Sequence, residues 1–246
     1  MVENYGLIGH PLGHSYSQKL FEDAYNGRYG YFMLDLESLC DLRDLIKEKN
    51  IKGFNVTIPY KRAIAGIVER MTEEATEIGA VNCVRVESDG SLTGHNTDAE
   101  AFYEQLASGC QKVSVSGRQK ALILGTGGAA RAVAYALKRM GMEYRMVSRR
   151  PEGEAISYED AYAMADDVRM IVNATPVGMW PDVEGVSWMR TELLTRRHLV
   201  YDLVYNPSPT RLIQAAAERG AYVMDGMGML RRQAELSWRF WGINGR

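Results

Sequence analysis

The chain has few of the residues that build metal centres and disulfide frameworks: its 246 residues include three cysteines and four histidines. Cys40, Cys83 and Cys110 are odd in number, far apart and without C-x-x-C spacing, which argues against a zinc knuckle, a dithiol redox motif or a fully paired disulfide scaffold. No metal site is expected, and reduced thiols in a cytoplasmic protein are the simplest reading. Long apolar runs are also missing, since no stretch approaches the ~18 to 20 residues that cross a bilayer. The first residues contain Glu3 and lead directly into a strand-like segment, so they lack the basic start and apolar stretch of a signal peptide. Nor is there an excess of charge of one sign. With 29 basic and 31 acidic residues the net charge is -2, which gives no reason to invoke nucleic acid or an anionic membrane as a partner. Internal repeats and low-complexity tracts are absent.

What is present is a soluble, core-forming composition, 46% hydrophobic and 24% charged, in a chain long enough for one large domain or two ordinary ones. Strand-like and helix-like segments alternate. Residues 5–8, 30–36 and 51–58 read as strands, with helices expected over 18–25 and from Ser38 onward, where Leu39, Leu42, Leu45 and Ile46 recur at helical spacing. This β-α-β-α-β order favours a parallel sheet with helices on its faces. Further helix is expected around Ile64, Ile67 and Val68 and over 72–78. Ser88-Asp89-Gly90 marks a hairpin between strands at 81–87 and 91–93, and a helix is expected to about residue 107.

The third strand ends in Asn55 and Thr57, and Pro59 and Lys61 follow it. Proline cannot extend a sheet ladder, so the chain leaves the sheet there, and Lys61 stands at the carboxyl end of a strand, where open α/β sheets bind ligands. Ser15 and Ser17 can present two hydroxyls to one ligand or cap the following helix. Gly79-Ala80-Val81-Asn82 brings an amide to the start of a strand, and Asn96-Thr97-Asp98 brings a carboxylate to the start of a helix. Taken singly, each reads as a cap or a surface charge; a hundred residues that contain all of them read as a site.

Polar residues between Gly109 and Lys120 mark a boundary. The apolar strand 121–124 then runs into Gly125-Thr126-Gly127-Gly128-Ala129-Ala130 and a helix to Arg139, with Gly141 as its stop. In that context the glycines permit a tight turn and let backbone amides reach a pyrophosphate, whose charge the helix N-terminus favours. After the next strand, 142–147, an NAD site would carry an acidic residue; here Ser148-Arg149-Arg150 stand, and guanidinium groups suit the 2′-phosphate of NADP. Strands at 168–172, 199–204 and 222–224 and a helix at 210–219 complete a Rossmann pattern over residues 102–225. A last helix carries Gln233, Leu236, Trp238, Phe240 and Trp241, the aromatics being expected in the core.

These blocks, in this order, resemble the shikimate dehydrogenase family over almost the whole chain: Pro11-Leu12-Gly13-His14-Ser15-Tyr16-Ser17, Asn55-Val56-Thr57-Ile58-Pro59-Tyr60-Lys61, Gly79-Ala80-Val81-Asn82, Gly94-His95-Asn96-Thr97-Asp98, the glycine loop, Asn173-Ala174-Thr175 and Gly226-Met227-Gly228-Met229-Leu230. The resemblance implies an α/β fold of two domains. Residues 1–101, completed by the C-terminal helix 226–246, form a substrate domain with a mostly parallel sheet; a Rossmann domain at 102–225 binds NADP, and the active site lies in the cleft between them. It further implies that Ser15, Ser17, Thr57, Asn82, Tyr205 and Gln233 hold the substrate, with Lys61 and Asp98 as the catalytic pair. The glycine loop, Ser148, Arg149, Arg150, Thr175 and Met227 would line the dinucleotide. The implied reaction interconverts shikimate and 3-dehydroshikimate for aromatic amino-acid synthesis, in a monomer or homodimer.

The chemistry requires an acid/base beside the reacting hydroxyl. A lysine titrates ordinarily near pH ~10.4; burial lowers that value and a neighbouring carboxylate opposes the shift, so Asp98 is expected chiefly to position Lys61. The chain departs from the family at Gln18, commonly proline, at Phe21, commonly histidine, at Cys83, usually threonine, and at Ala99, usually glycine. Ser148 and Pro151-Glu152-Gly153 replace the usual asparagine and basic continuation around Arg149, which bears on how strongly NADP is preferred. Two other readings share the scaffold: a quinate- or NAD-using relative, and a non-catalytic dinucleotide-sensing regulator.

Overall fold

The structure is a computed structural model that describes residues 2–13, 16–110 and 120–243, Cys110 by its backbone alone. The first part of the chain forms β1 (Asn4–Gly9), α1 (Tyr16–Tyr25), β2 (Gly30–Asp35), α2 (Leu42–Glu48) and β3 (Ile51–Val56). A 3-10 turn at Ala63–Gly66 leads to β4 (Arg70–Met71), α3 (Glu73–Ile78), β5 (Cys83–Val86) and β6 (Leu92–His95). Then follow α4 (Thr97–Cys110), β7 (Lys120–Leu124), α5 (Gly128–Arg139), β8 (Glu143–Val147), α6 (Tyr158–Ala163) and β9 (Met170–Asn173). The chain ends with β10 (Leu199–Asp202), α7 (Arg211–Glu218), β11 (Tyr222–Met224) and α8 (Met227–Phe240). It divides into two compact units, Met1–Asp98 with Arg231–Arg246, and Ala99–Leu230.

The first unit is built on a six-stranded sheet ordered β2-β1-β3-β5-β6-β4. Its β-α-β-α-β half is parallel, whereas β5 runs antiparallel both to β3 and to β6, the second pairing being closed by the Asp89-Gly90 hairpin with Gly90 at φ +83°. Several local expectations shift. Helix α1 begins at Tyr16, so Ser17 sits inside its first turn instead of ahead of it. Ser38 does not open α2; its hydroxyl accepts from the Cys40 amide in a turn, and Asp41 takes the N-cap position. The stretch around Ile64 forms only a 3-10 turn, since Arg70 and Met71 are drawn into pairing with Thr93 and Gly94.

Alternation along β3 sets the two faces of this sheet. Phe54 and Val56 enter a core with Ile8, Leu34, Ile46 and Val84. Gly53 and Asn55 face α8 and the residues after it, where a Cβ at position 53 would lie 2.5 Å from the Trp241 ring. The aromatic residues near the C-terminus are core, as their helical spacing suggests: Trp241 is 7% exposed and its indole donates to the Val84 carbonyl at 3.0 Å. Phe21 packs in this layer, with ring centroids 4.7 Å from Tyr25, 4.7 Å from Tyr31 and 6.0 Å from Trp238. An aromatic side chain where the family commonly has histidine therefore fills an apolar layer.

The second unit carries a five-stranded, fully parallel sheet ordered β11-β10-β9-β7-β8. Its central strands are buried on both faces, which is why they read as apolar runs. The order reverses between β7 and β9, and the crevice beyond the carboxyl ends of those strands is the ligand position of an open α/β sheet. Among the described residues, no helix is long and apolar enough to cross a membrane.

Candidate active site

Three sequence-predicted residues of the first unit meet directly. Lys61 follows the turn after β3 and directs its ammonium to Asp98 in α4, with Nζ 2.6 Å from Oδ2. The other carboxylate oxygen, Oδ1, accepts from Asn82 Nδ2 at 2.9 Å. The side chains are 17% exposed for Lys61 and 6% for Asp98, so the pair is largely dry with the lysine on its more open side. Backbone bonds fix each position: the Val81 amide donates to the Lys61 carbonyl at 2.7 Å, and the Asn82 carbonyl accepts from Val56 at 2.8 Å.

A second layer of hydrogen bonds holds the acid in place. Both Asn82 amide hydrogens are engaged, one by Asp98 and one by Thr97 Oγ1 at 3.0 Å, while its oxygen accepts from the Thr97 amide at 2.7 Å. Thr97 Oγ1 lies 3.1 Å from Ser237 Oγ on α8, and Ser237 accepts from Asn55 Nδ2 at 2.7 Å. Asn96 Oδ1 accepts from the Asp98 amide at 3.1 Å, so Asn96 supplies the Asx turn that starts the helix and leaves the Asp98 side chain for Lys61. Cys83 lies beneath this network, fully buried, and burial pushes its thiol up to about 12. It is an inert neighbour and not a nucleophile. His95, stacked on Phe240 with its Nδ1 2.9 Å from Thr72 Oγ1, is held below its usual range by burial.

The remaining predicted substrate residues are distributed differently. Ser15 lies outside the described residues. Ser17 is buried on α1, Gln233 is buried on α8, and Thr57 is half-buried just beyond β3 with its amide donating to Ile8 at 2.8 Å. Tyr205 is half-buried and belongs to the second unit, as does Met227, which was expected to line the dinucleotide and not the substrate.

In that unit the glycine loop joins β7 to α5. Gly125 has φ +107°, a conformation open to glycine, and a Cβ there would lie 3.1 Å from Thr175 Cγ2. At Gly127, the N-cap, a Cβ would meet nothing within 4 Å, and no side chain caps the first amides of α5. Thr126 and Gly127 are exposed, Gly128 and Ala129 half-buried and Ala130 fully buried against the sheet. This open, uncapped turn fits a pyrophosphate. Beyond β8, Ser148 Oγ donates to the Arg150 carbonyl at 2.9 Å and accepts from its amide at 3.1 Å, which leaves the Arg149 and Arg150 side chains exposed. Two exposed guanidinium groups past β8, the second strand of this unit, fit a 2′-phosphate.

The sequence reading gave no role to Asp202. At the end of β10 it is fully buried, accepts from Asn173 Nδ2 at 2.8 Å and from Thr210 Oγ1 at 2.6 Å, and burial raises its carboxyl to about 6. Ser237 was likewise not singled out. Only a three-dimensional arrangement could show that α8 places a hydroxyl under Asn55 and Thr97. Among the described residues, no group of three or more His, Cys, Asp or Glu could hold a metal ion.

Residues 7–84 match the family model described as the shikimate dehydrogenase substrate binding domain. A shikimate dehydrogenase (NADP(+)) from Caldanaerobacter subterraneus subsp. tengcongensis is 36% identical over 258 residues, covering 96% of this chain and 90% of that protein. The crystal structure of shikimate 5-dehydrogenase from Thermus thermophilus in complex with NADP(H) and shikimate is similar at TM-score 0.83 and 32% identity, over all of this chain and 95% of the other. A quinate dehydrogenase from Corynebacterium glutamicum in complex with NAD is similar at TM-score 0.84 and 28% identity, over 100% of this chain and 95% of that one. With its bonded Lys61–Asp98–Asn82 set, its glycine loop and full-length similarity to these proteins, the chain belongs to the shikimate dehydrogenase family.

Proposed function

We propose that the chain is an NADP-dependent oxidoreductase that reduces 3-dehydroshikimate to shikimate, reversibly, in the route to the aromatic amino acids. The observation that carries this reading is the 2.6 Å contact between Lys61 and Asp98 in a nearly dry setting. Residues 1–101 with 226–246 take the substrate, and residues 102–225 take the dinucleotide through the glycine loop, Ser148, Arg149, Arg150, Thr175 and Met227. When bound, NADPH supplies hydride to the carbonyl carbon.

The protein's own contribution is binding and proton control. As the carbonyl oxygen gains negative charge, Lys61 Nζ donates a proton to it, and in the reverse direction the amine accepts the proton of the hydroxyl. Asp98 fixes the direction of the Nζ–H bonds through Oδ2 and is itself fixed through Oδ1 by Asn82, so the ammonium is aimed before substrate arrives. Asn82 has both amide hydrogens committed, and so touches substrate only by exchanging one of those bonds. Ser15, Ser17, Thr57, Tyr205 and Gln233 complete the recognition of hydroxyls and carboxylate.

The similarity to a quinate dehydrogenase in complex with NAD keeps one alternative in view. An assay of shikimate and quinate, each with NADP and with NAD, separates them. The highest kcat/KM is expected for shikimate with NADP. A higher value with quinate or NAD would assign the chain to the other branch, and no turnover in any arm would favour the dinucleotide-sensing regulator.

A further inference from the structure

A carboxylate with no exposed surface is costly to bury and is kept only where donors converge on it. Asp202 is such a group, at the carboxyl end of β10 next to the switch point of the second sheet. Three donors converge on it: Asn173 Nδ2 at 2.8 Å and the Val204 amide at 3.0 Å on Oδ1, and Thr210 Oγ1 at 2.6 Å on Oδ2. The other titratable group that bears on it is Asp225, whose charge opposes its ionisation.

The consequence lies beyond Asn173. With its amide nitrogen held by Asp202 at 2.8 Å and, at the longer distance of 3.4 Å, by the Val177 carbonyl, the Asn173 oxygen faces Thr175 and accepts from both its hydroxyl, at 2.6 Å, and its backbone amide, at 3.1 Å. Thr175 is thereby held with its methyl over Gly125, where the space left for a Cβ closes to 3.1 Å. A buried acid thus reaches the glycine turn through two side chains, and rotation of the Asn173 amide would turn a donor toward Thr175 and release it.

Building on the cofactor reading above, we infer that Asp202 is a positioning residue for the dinucleotide: it sets the orientation of the Asn173 amide, which holds Thr175 against the turn that receives the cofactor. Its two oxygens serve separate ends. Oδ1 governs the cofactor side through Asn173, whereas Oδ2 binds Thr210, the N-cap of α7, and serves the fold.

The test is calorimetric titration of NADP into the full-length protein and its variants, with KM for shikimate measured alongside. Asp202→Ala should raise the NADP Kd by about 10-fold, the loss of one buried hydrogen-bond anchor, and leave the KM for shikimate near that of the parent. Asp202→Asn should recover most of the affinity, because its amide oxygen can accept from Asn173 and Val204 while its NH2 donates to Thr210. Thr210→Val should lower thermal stability and leave the NADP Kd unchanged. Should Asp202→Ala fail to fold, Asn173→Ala reads the same link from its other end, with the same rise in Kd expected. An Asp202→Ala variant (or, in its place, Asn173→Ala) that binds NADP as the parent does, or an equal loss in Thr210→Val, overturns the assignment. A parent protein that gives no NADP signal refutes the cofactor reading itself, and this role with it.

Discussion

Lys61 and Asp98 are 37 residues apart in the chain and 2.6 Å apart in space, and the carboxylate between Lys61 and Asn82 uses a separate oxygen for each. That division makes Asp98→Asn a disruptive change. An amide at position 98 must turn its NH2 toward either the Lys61 ammonium or the Asn82 NH2, so one of the two bonds is lost in either orientation. The expected outcome is a fall in kcat of about 10²- to 10⁴-fold, the range of a displaced general acid, read in steady-state oxidation of shikimate.

Ser237 has no exposed surface and receives Asn55 Nδ2 at 2.7 Å beneath the site. Ser237→Ala leaves a buried amide without that acceptor, and the cost should be about 1–3 kcal/mol. Urea unfolding should show a lower midpoint with an unchanged m-value, since no additional surface is exposed.

Lys61, Asn82 and Asp98 were legible because each sits in a short block whose spacing places it at a strand or helix terminus. The helix-terminal glycine turn was legible for the same reason. What the sequence hides is longer in range. Ser237 is one polar residue among helix-forming ones, and its role depends on β3 turning Asn55 toward α8. Asp202 ends a strand whose apolar run says only that it is buried. Strand β4 has two residues and exists through its pairing with β6, so no local pattern announces it. The capping box of α6, Ser157 with Asp160, was a readable signal that was missed. The reversal at Asp89-Gly90 was readable, but the antiparallel placement of β5 beside β3 is separate from it and follows from pairing partners that periodicity does not name.

Stability should also depend on His95. Burial depresses its folded-state value, while the unfolded chain titrates near the ordinary ~6.5. Between those two values the unfolded state binds more protons, so the stabilisation is complete above about pH 6.5 and is lost as pH falls through the depressed value. Tm followed from pH 7.5 to 5 should fall more steeply for the parent than for His95→Gln; parallel curves would remove His95 from the acid response.

Arg149 and Arg150 are exposed beyond β8, with the turn between them and Ser148 tied by two short-range hydrogen bonds. Arg149→Ala should weaken NADP about 10-fold or more and leave NAD within about twofold, because only the 2′-phosphate loses a charged, paired contact. Kd values for both dinucleotides, measured at one ionic strength, decide this. Equal losses would show that Arg149 acts on the turn and not on the phosphate.

The measurement that bears most directly on the proposed chemistry is steady-state oxidation of shikimate by Lys61→Met, which keeps most of the aliphatic stem and removes the amine. With the variant shown to be folded by its circular dichroism, kcat should fall by about 10²- to 10⁴-fold while KM for shikimate changes only a few-fold. A kcat equal to that of the parent, with Asp98 left in place, would show that proton transfer does not pass through Lys61 and would contradict the mechanism.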